Sequence, residues 1–270
     1  MRKVMVLGDT HANTRWTIDA IGIASSLDVK DIIVVGDFGY WPDAIYGHPE
    51  FLHSISPAAV ESGVTVWWVD GNHEDFGSLY ANHLKDHDEP VKILDGIMWL
   101  PRGVAWEWEG VKFMAMGGAA SIDRQWRTNG LDWFSEEMIS DDDVAKATDC
   151  DIIISHDSPV NPLEAAGRSF SVDPDSEHCR MQMRRVVSIS KPDLVLYGHY
   201  HMSSDLDFLR DGGYTRCVSL NCDGNLESMR LLYLDAGDWK LSSAFPIMAD
   251  PILESLDQDA IERQDARLMW

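Results

Sequence analysis

Val4-Met5-Val6-Leu7-Gly8-Asp9-Thr10-His11 is a run of four apolar residues that stops at a glycine and a polar cluster. A run this short, apolar on successive rather than alternate positions, reads as a strand buried on both faces. The same order recurs along the chain. Ile32–Val35 stops at Gly36-Asp37, and Val64–Val69 stops at Asp70-Gly71-Asn72-His73-Glu74. Ile152–Ile154 runs into Ser155-His156, and Leu194–Leu196 into Tyr197-Gly198-His199-Tyr200-His201. Val111–Met116 is a further run, followed by Gly117-Gly118.

Helical patterns lie between these runs. Thr14–Ser26 carries Trp16, Ala20, Ile21 and Ala24 at helical spacing behind Asn13 or Thr14 as N-cap. Pro49 opens a second pattern through Phe51, Leu52 and Ile55, and Glu177–Ser190 offers a third. Strands alternating with helices predict an α/β layered fold. Thr215–Leu220 and Met229–Leu234 read as strands joined through Asp223-Gly224-Asn225, an antiparallel region closing the sheet system. No repeat or linker divides residues 1–245, so one domain is expected there. Residues 246–270 form an acidic extension in which Ile252, Leu256, Ala260 and Ile261 fit a helix. That helix is expected to pack on the body or to join two copies of the chain as a homo-oligomer.

With 45% hydrophobic residues and 11 tryptophans among 270, the chain can bury a sizeable core and is not a disordered protein. Lys and Arg total 22 against 45 Asp and Glu, a net charge of −23. Long nucleic acid is a poor partner for such a surface, because affinity there comes from neutralising phosphates. A small phosphorylated substrate remains compatible, since a bound metal reverses the field locally. The four cysteines form no CxxC pair, the N-terminal apolar run is too short for a signal peptide, and no stretch approaches a membrane span. A cytoplasmic protein is expected.

Loops at the carboxyl ends of strands in an open α/β sheet gather in one crevice. Five such loops would pool Asp9, His11, Asp37, Asn72, His73, His156, His199 and His201. Each has an ordinary reading taken alone: a turn, a helix cap, a structural histidine. Together they hold half of the ten histidines; His48, His53, His83, His87 and His178 lie elsewhere and read as surface residues. Oxygen and imidazole donors without cysteine favour Mn²⁺, with Fe or Zn²⁺ as alternatives. The donors outnumber what one catalytic ion uses, which implies two divalent ions, and Asp37 has two oxygens with which to bridge them.

The series Asp9-Thr10-His11, Gly36-Asp37, Gly71-Asn72-His73-Glu74, His156 and Gly198-His199-Tyr200-His201 resembles the calcineurin-like metallophosphoesterase superfamily. The resemblance implies a two-layered β-sandwich flanked by helices and a dinuclear centre. Asp9, His11, Asp37 and His201 would hold the first metal; Asp37, Asn72, His156 and His199 would hold the second. His73 would be the catalytic histidine, meeting the substrate rather than a metal. Phe38 follows Asp37 where serine/threonine protein phosphatases of the superfamily continue Asp-Arg, which points away from that activity. Gly117–Asp123 with Trp126-Arg127 is similar to small bacterial and phage-encoded members.

Such a site implies hydrolysis of phosphodiesters of small substrates, cyclic nucleotides or nucleotide and aryl diesters. A water bridging two cations loses a proton near neutral pH and attacks phosphorus in line. A nuclease or phosphomonoesterase on the same centre is the alternative, and a non-catalytic scaffold ranks last because the donor set is complete. Phe38, Tyr40 and Trp41 are open to two readings, stacking on a substrate ring or core packing. Arg127 either meets a phosphate oxygen beside Asn72 or pairs with Asp123. Asp70, Glu74 and Asp75 are either partners of the histidines or exposed acids.

Overall fold

A computed structural model describes residues 1–42, 49–168 and 173–242. The acidic segment 246–270, with the helix and the oligomer contact expected of it, lies outside the described residues, as does His48. In chain order the elements are β1 (Arg2–Leu7), α1 (Thr14–Ser26), β2 (Asp31–Val34), α2 (Pro49–Ser62), β3 (Thr65–Trp68), α3 (Phe76–His83), β4 (Val91–Leu94) and β5 (Ile97–Trp99). There follow β6 (Ala105–Trp108), β7 (Val111–Met116), α4 (Asp141–Ala145), β8 (Ile152–Ser155), α5 (Pro162–Ala165), α6 (Pro174–Ser190) and β9 (Leu194–Tyr197). The last are β10 (Ser204–Arg210), β11 (Gly213–Ser219), β12 (Met229–Asp235) and β13 (Asp238–Leu241).

Among these residues two sheets form, one in the order β13-β12-β1-β2-β3-β5-β4 and the other in the order β10-β11-β9-β8-β7-β6. The continuous apolar runs are explained by both faces of each sheet being covered. Val4, Val6, Ile33 and Val35 face Phe113, Ile152, Ile154, Leu194 and Leu196 across the space between the sheets. Met5, Leu7, Ile32 and Val34 point the other way, onto Ala20 and Ile21 of α1 and Phe51 and Ile55 of α2. Met114, Ile153, Val195 and Tyr197 meet Met183, Val186 and Val187 of α6 on the far side. The expected sandwich of two sheets between helix layers is therefore the fold. No helix among the described residues is long and apolar enough to cross a membrane.

Register fixes where the polar loops emerge. β1, β2 and β3 run parallel, with Leu7 opposite Val34 and Val34 opposite Trp68. β7, β8 and β9 are also parallel, with Met116 opposite Ser155 and Ile154 opposite Leu196. Their carboxyl ends lie at one edge, so the loops that follow converge.

Two expectations need correction. Thr215–Leu220 and Met229–Leu234 are strands, but they do not form a hairpin. β11 pairs with β9 and β10 in one sheet, while β12 pairs with β1 and β13 in the other. The Asp223-Gly224-Asn225 segment crosses between sheets. Phe38 and Tyr40 are core residues, both almost fully buried and stacked on Trp68 at 4.9 and 5.9 Å. Trp41 is half-buried, and its indole N–H donates to the His73 carbonyl at 2.8 Å. The chain turns down after Asp37 and spends the Phe38 and Tyr40 rings on the first sheet's outer face rather than on the crevice.

Asp70, read as either a partner of the histidines or an exposed acid, is neither: it is buried and holds Arg102. That buried guanidinium donates to Asp70 Oδ2 at 2.8 Å, to Asp143 Oδ2 at 3.1 Å and to the carbonyls of Glu136, Glu137 and Met138. It thereby ties the end of β3 to the segment entering α4. Burial pushes the Asp143 carboxyl up, but Arg102 and the Ser140 donors outweigh it and hold it below its ordinary value. A carboxyl depressed in this way stabilises the fold above its unfolded value, near 4, and stops doing so as pH falls through the folded one. Asp143→Asn should therefore cost about 2 kcal/mol at pH 7. In urea titrations the gap should narrow as the pH falls from 7 to 3; an equal gap at both pH values would refute it.

Candidate metal centre

Asp9 is the second residue beyond β1 and Asp37 the third beyond β2, and both lie on the floor of the crevice, with almost no exposure. Above them stand His11, half-buried, and His201, exposed at the rim. One donor atom from each of Asp9, His11, Asp37 and His201 lies within 4.8 Å of the other three. His201 Nε2 is 3.3 Å from Asp9 Oδ2, and His11 Nε2 is 3.5 Å from Asp37 Oδ2.

The backbone is strained where these donors sit. His11, Asp37, His199 and His201 have φ of +46°, +45°, +69° and +47°. Left-handed backbone at non-glycine residues costs on the order of 1–3 kcal/mol each and concentrates at functional sites. Two glycines make the approach possible: a Cβ at Gly71 would collide with Asp37 Oδ1, and one at Gly198 with Asp9 Oδ1.

Asp37 also faces a second group of donors. His156 Nδ1 lies 2.8 Å from the Val35 carbonyl, which can only accept, so Nδ1 carries the hydrogen. Nε2 of the neutral ring is then a lone pair, 3.2 Å from Asp37 Oδ1 and 3.1 Å from Asn72 Oδ1. Three acceptors can converge in this way only with a positive charge among them, a proton on Nε2 or a cation in its place. Burial disfavours charge on His156, yet Asp37 and Asp9 override it and raise the group to about 9. His201 shows the same competition and rises to about 10 through Asp9 and Cys222. The donor set fits divalent cations at both places.

His199 stands outside the four-donor cluster. Its backbone N–H donates to Asp9 at 3.0 Å, and its ring lies 5.1 Å from that of His156. Burial, with His156 alongside, keeps it well below its ordinary value and therefore neutral.

Behind the donors sit groups that hold them. Asp223 Oδ1 accepts from His11 Nδ1 at 3.0 Å, which turns Nε2 toward Asp37, and its Oδ2 accepts from Asn13 Nδ2 at 2.6 Å. In the sequence Asp223 reads only as a turn residue. Among the described residues Glu74 hydrogen-bonds to no histidine; it accepts the backbone N–H groups of Phe38, Gly39 and Tyr40 at 2.7, 3.1 and 2.7 Å. Asp75 caps α3 through the N–H of Ser78. All three acids suggested for the histidines thus hold loops or helices instead.

His73 lies above Asp37, which accepts its backbone N–H at 2.8 Å, and its ring is 6.1 Å from that of His11. The terminal nitrogens of Arg127 lie 3.2 and 3.4 Å from His73 Nδ1 and Nε2. Burial lowers His73 to about 4; Asp37 pulls the other way, while Arg127 and His11 reinforce the fall. Arg127 is also paired with Asp123 at 2.8 Å, the second of the two readings open to it.

A family model for calcineurin-like phosphoesterases matches residues 2–203. The chain is structurally similar to a dimetal phosphatase from Danio rerio, at 14% identity and a TM-score of 0.56, over 91% of this chain and 96% of that one. It is also similar to a Thermus thermophilus protein, at 11% identity and a TM-score of 0.49, over 89% and 98% of the two chains. A further likeness is to an archaeal phosphodiesterase, at 15% identity and a TM-score of 0.41, over 89% and 98%. No curated protein matches the chain in sequence. The first of the three likenesses shows a shared fold.

Ions that bind only the folded chain stabilise it by mass action, by about 2.7 kcal/mol per site at a hundredfold excess over Kd. Mn²⁺ added to metal-free protein should therefore raise its melting temperature. Asp37→Asn, which removes the charge common to both donor groups, should abolish most of that rise. An unchanged rise would mean that the ions bind elsewhere.

Proposed function

The chain belongs to the calcineurin-like phosphoesterases, metal-dependent hydrolases of phosphoesters, and on that premise we propose that it cleaves phosphodiesters of small substrates. Cyclic nucleotides and nucleotide or aryl diesters are the substrate class. The observation that carries this reading is the Asp9-His11-Asp37-His201 cluster, which adjoins a second donor group through Asp37. Asp9, His11, Asp37 and His201 would hold one ion, and Asp37, Asn72, His156 and His199 the other. Mn²⁺ suits these oxygen and imidazole donors, with Fe or Zn²⁺ as alternatives. Two bound ions supply a nucleophile from water at neutral pH and positive charge for the non-bridging oxygens.

The chain's own residues do the rest. Asp9 and Asp37 hold negative charge on the floor. His73, kept neutral by burial with Arg127 alongside, would offer its ring N–H to a substrate or leaving-group oxygen from above. Arg127, braced by Asp123, offers its remaining N–H groups to a phosphate oxygen. Since Phe38 and Tyr40 are spent in the core, the rings left for an ester substituent in this reading are half-buried Trp41, on the His73 carbonyl, and Trp126, next to Arg127 in sequence and 78% exposed. The four free cysteines, all buried, accord with a cytoplasmic location. The charge of −23 disfavours a nuclease acting on long strands.

At fixed Mn²⁺, matched aryl diesters should give the higher kcat/KM than aryl monoesters. A clear monoester preference would make the enzyme a phosphatase, and bound metal with no turnover of either would leave a scaffold. His73→Ala should lower kcat on the order of 10²–10⁴-fold with metal content unchanged. Loss of metal in that variant would make His73 a ligand instead.

A further inference from the structure

Asn72 ends in two atoms of similar shape and opposite character, and only the oxygen can face a cation. Its Oδ1 lies 3.1 Å from His156 Nε2 and its Nδ2 lies 3.1 Å from Ser121 Oγ. These contacts do not decide which way round the amide sits, because a hydroxyl can accept from Nδ2 or donate to Oδ1. The decision lies one residue further out. Ser121 Oγ is 2.9 Å from Glu137 Oε2. A carboxylate only accepts, so the single hydroxyl hydrogen is committed to Glu137, and Ser121 turns lone pairs toward Asn72. Asn72 must answer with its N–H₂, which leaves Oδ1 facing His156 and Asp37.

Glu137 cannot swing away from this arrangement. Its Oε1 accepts the Ser121 backbone N–H at 2.6 Å and the Trp133 indole N–H at 2.9 Å, and its own carbonyl is held by Arg102. Asn72, Ser121 and Glu137 are 6%, 3% and 1% exposed, so bulk water does not compete. Among the described residues Glu137 makes no ion pair. Burying a carboxylate on hydrogen bonds alone is expensive, and an apolar side chain would fill the same space more cheaply.

We propose that Glu137 and Ser121 are positioning residues, a one-way hydrogen-bond relay that sets the Asn72 amide with its oxygen toward the second cation. This role rests on the two-cation reading of the site given above.

Calorimetric titration of Mn²⁺ into metal-free full-length protein tests it without any substrate. The titration belongs at pH 8.5, where a carboxyl that burial pushes up to about 7 is ionised. Wild type should bind two ions. Ser121→Ala removes the relay, and Glu137→Gln offers an N–H that can turn it round. Each should weaken one ion by about 10–100-fold, the usual cost of losing an outer partner of a ligand, and leave the other unchanged. Ser121→Thr keeps the hydroxyl and should bind both ions as wild type does. Urea titration of each metal-free variant separates lost affinity from lost folding, and Glu137→Gln, which conserves volume, remains informative should Ser121→Thr pack poorly. Wild-type affinity for both ions in Ser121→Ala and Glu137→Gln would overturn the relay. So would a Ser121→Thr protein as weak as Ser121→Ala. Two ions and this variant pattern without hydrolysis of any ester would support the relay while removing the proposed activity. A wild type that binds no second ion would remove the relay.

Discussion

A single buried negative charge, on Asp37, is what the neighbouring loops are arranged around. Its carboxylate accepts the His73 backbone N–H and faces both His11 and His156. Its carbonyl accepts the N–H groups of Thr10 and His11 at 3.2 and 2.8 Å. One residue therefore joins the loops that follow β1, β2, β3 and β8. Burial alone would push this carboxyl up, yet it is held well below its ordinary value by the histidines about it, His156 foremost. Charge placed so deep is tolerable only where cations answer it, first protons on the imidazoles and then whatever ion displaces them.

Such a site has to be built before its ligand arrives, and the two sheets do the building. Strained backbone at His11, Asp37, His199 and His201 persists because each lies beside a strand whose register is fixed by burial on both faces. A slip of one residue in β1 or β2 would exchange the inter-sheet face for the helix face, so the loops cannot drift. Glu74 then pins residues 38–40 from below, and Arg102 clamps 136–143 against the end of β3. The donors are consequently held apart at distances that a cation closes.

The strands and the gathering of donors at one edge are legible because both are local in sequence. A short apolar run followed by Gly-Asp or Gly-Asn-His marks a strand end and a polar loop together, and parallel order does the rest. What stays hidden is whatever depends on pairing across distance. Asp223 reaches His11 over 212 residues, and nothing in Asp-Gly-Asn distinguishes a hairpin from a crossing between sheets. Phe38 and Tyr40 follow Asp37 so closely that a place in the crevice is a natural reading, but the turn at Gly39 sends them under the first sheet. Asp70 and Glu74 sit in the loop that carries Asn72 and His73, yet their partners are Arg102 and three backbone amides, which no periodicity announces. Ser121 and Glu137 belong to the same class, since their meaning lies in which partner donates.

The net charge of −23 constrains substrate choice less than it first suggests. At physiological ionic strength exposed charges are screened beyond about 8 Å, so most of those carboxylates do not reach a phosphate in the crevice. Within that radius the balance differs. Asp9 and Asp37 on the floor and Asp223 behind His11 are acids of the site that bound divalent ions would offset, while Arg127 at the rim is paired with Asp123. Diester or monoester selectivity must therefore come from shape and hydrogen-bond count at the mouth rather than from long-range repulsion. A monoester presents one more charged oxygen than a diester and needs donors for it. Of the side chains over the floor, His73 and Arg127 are the ones not read as metal donors, and they lie against each other.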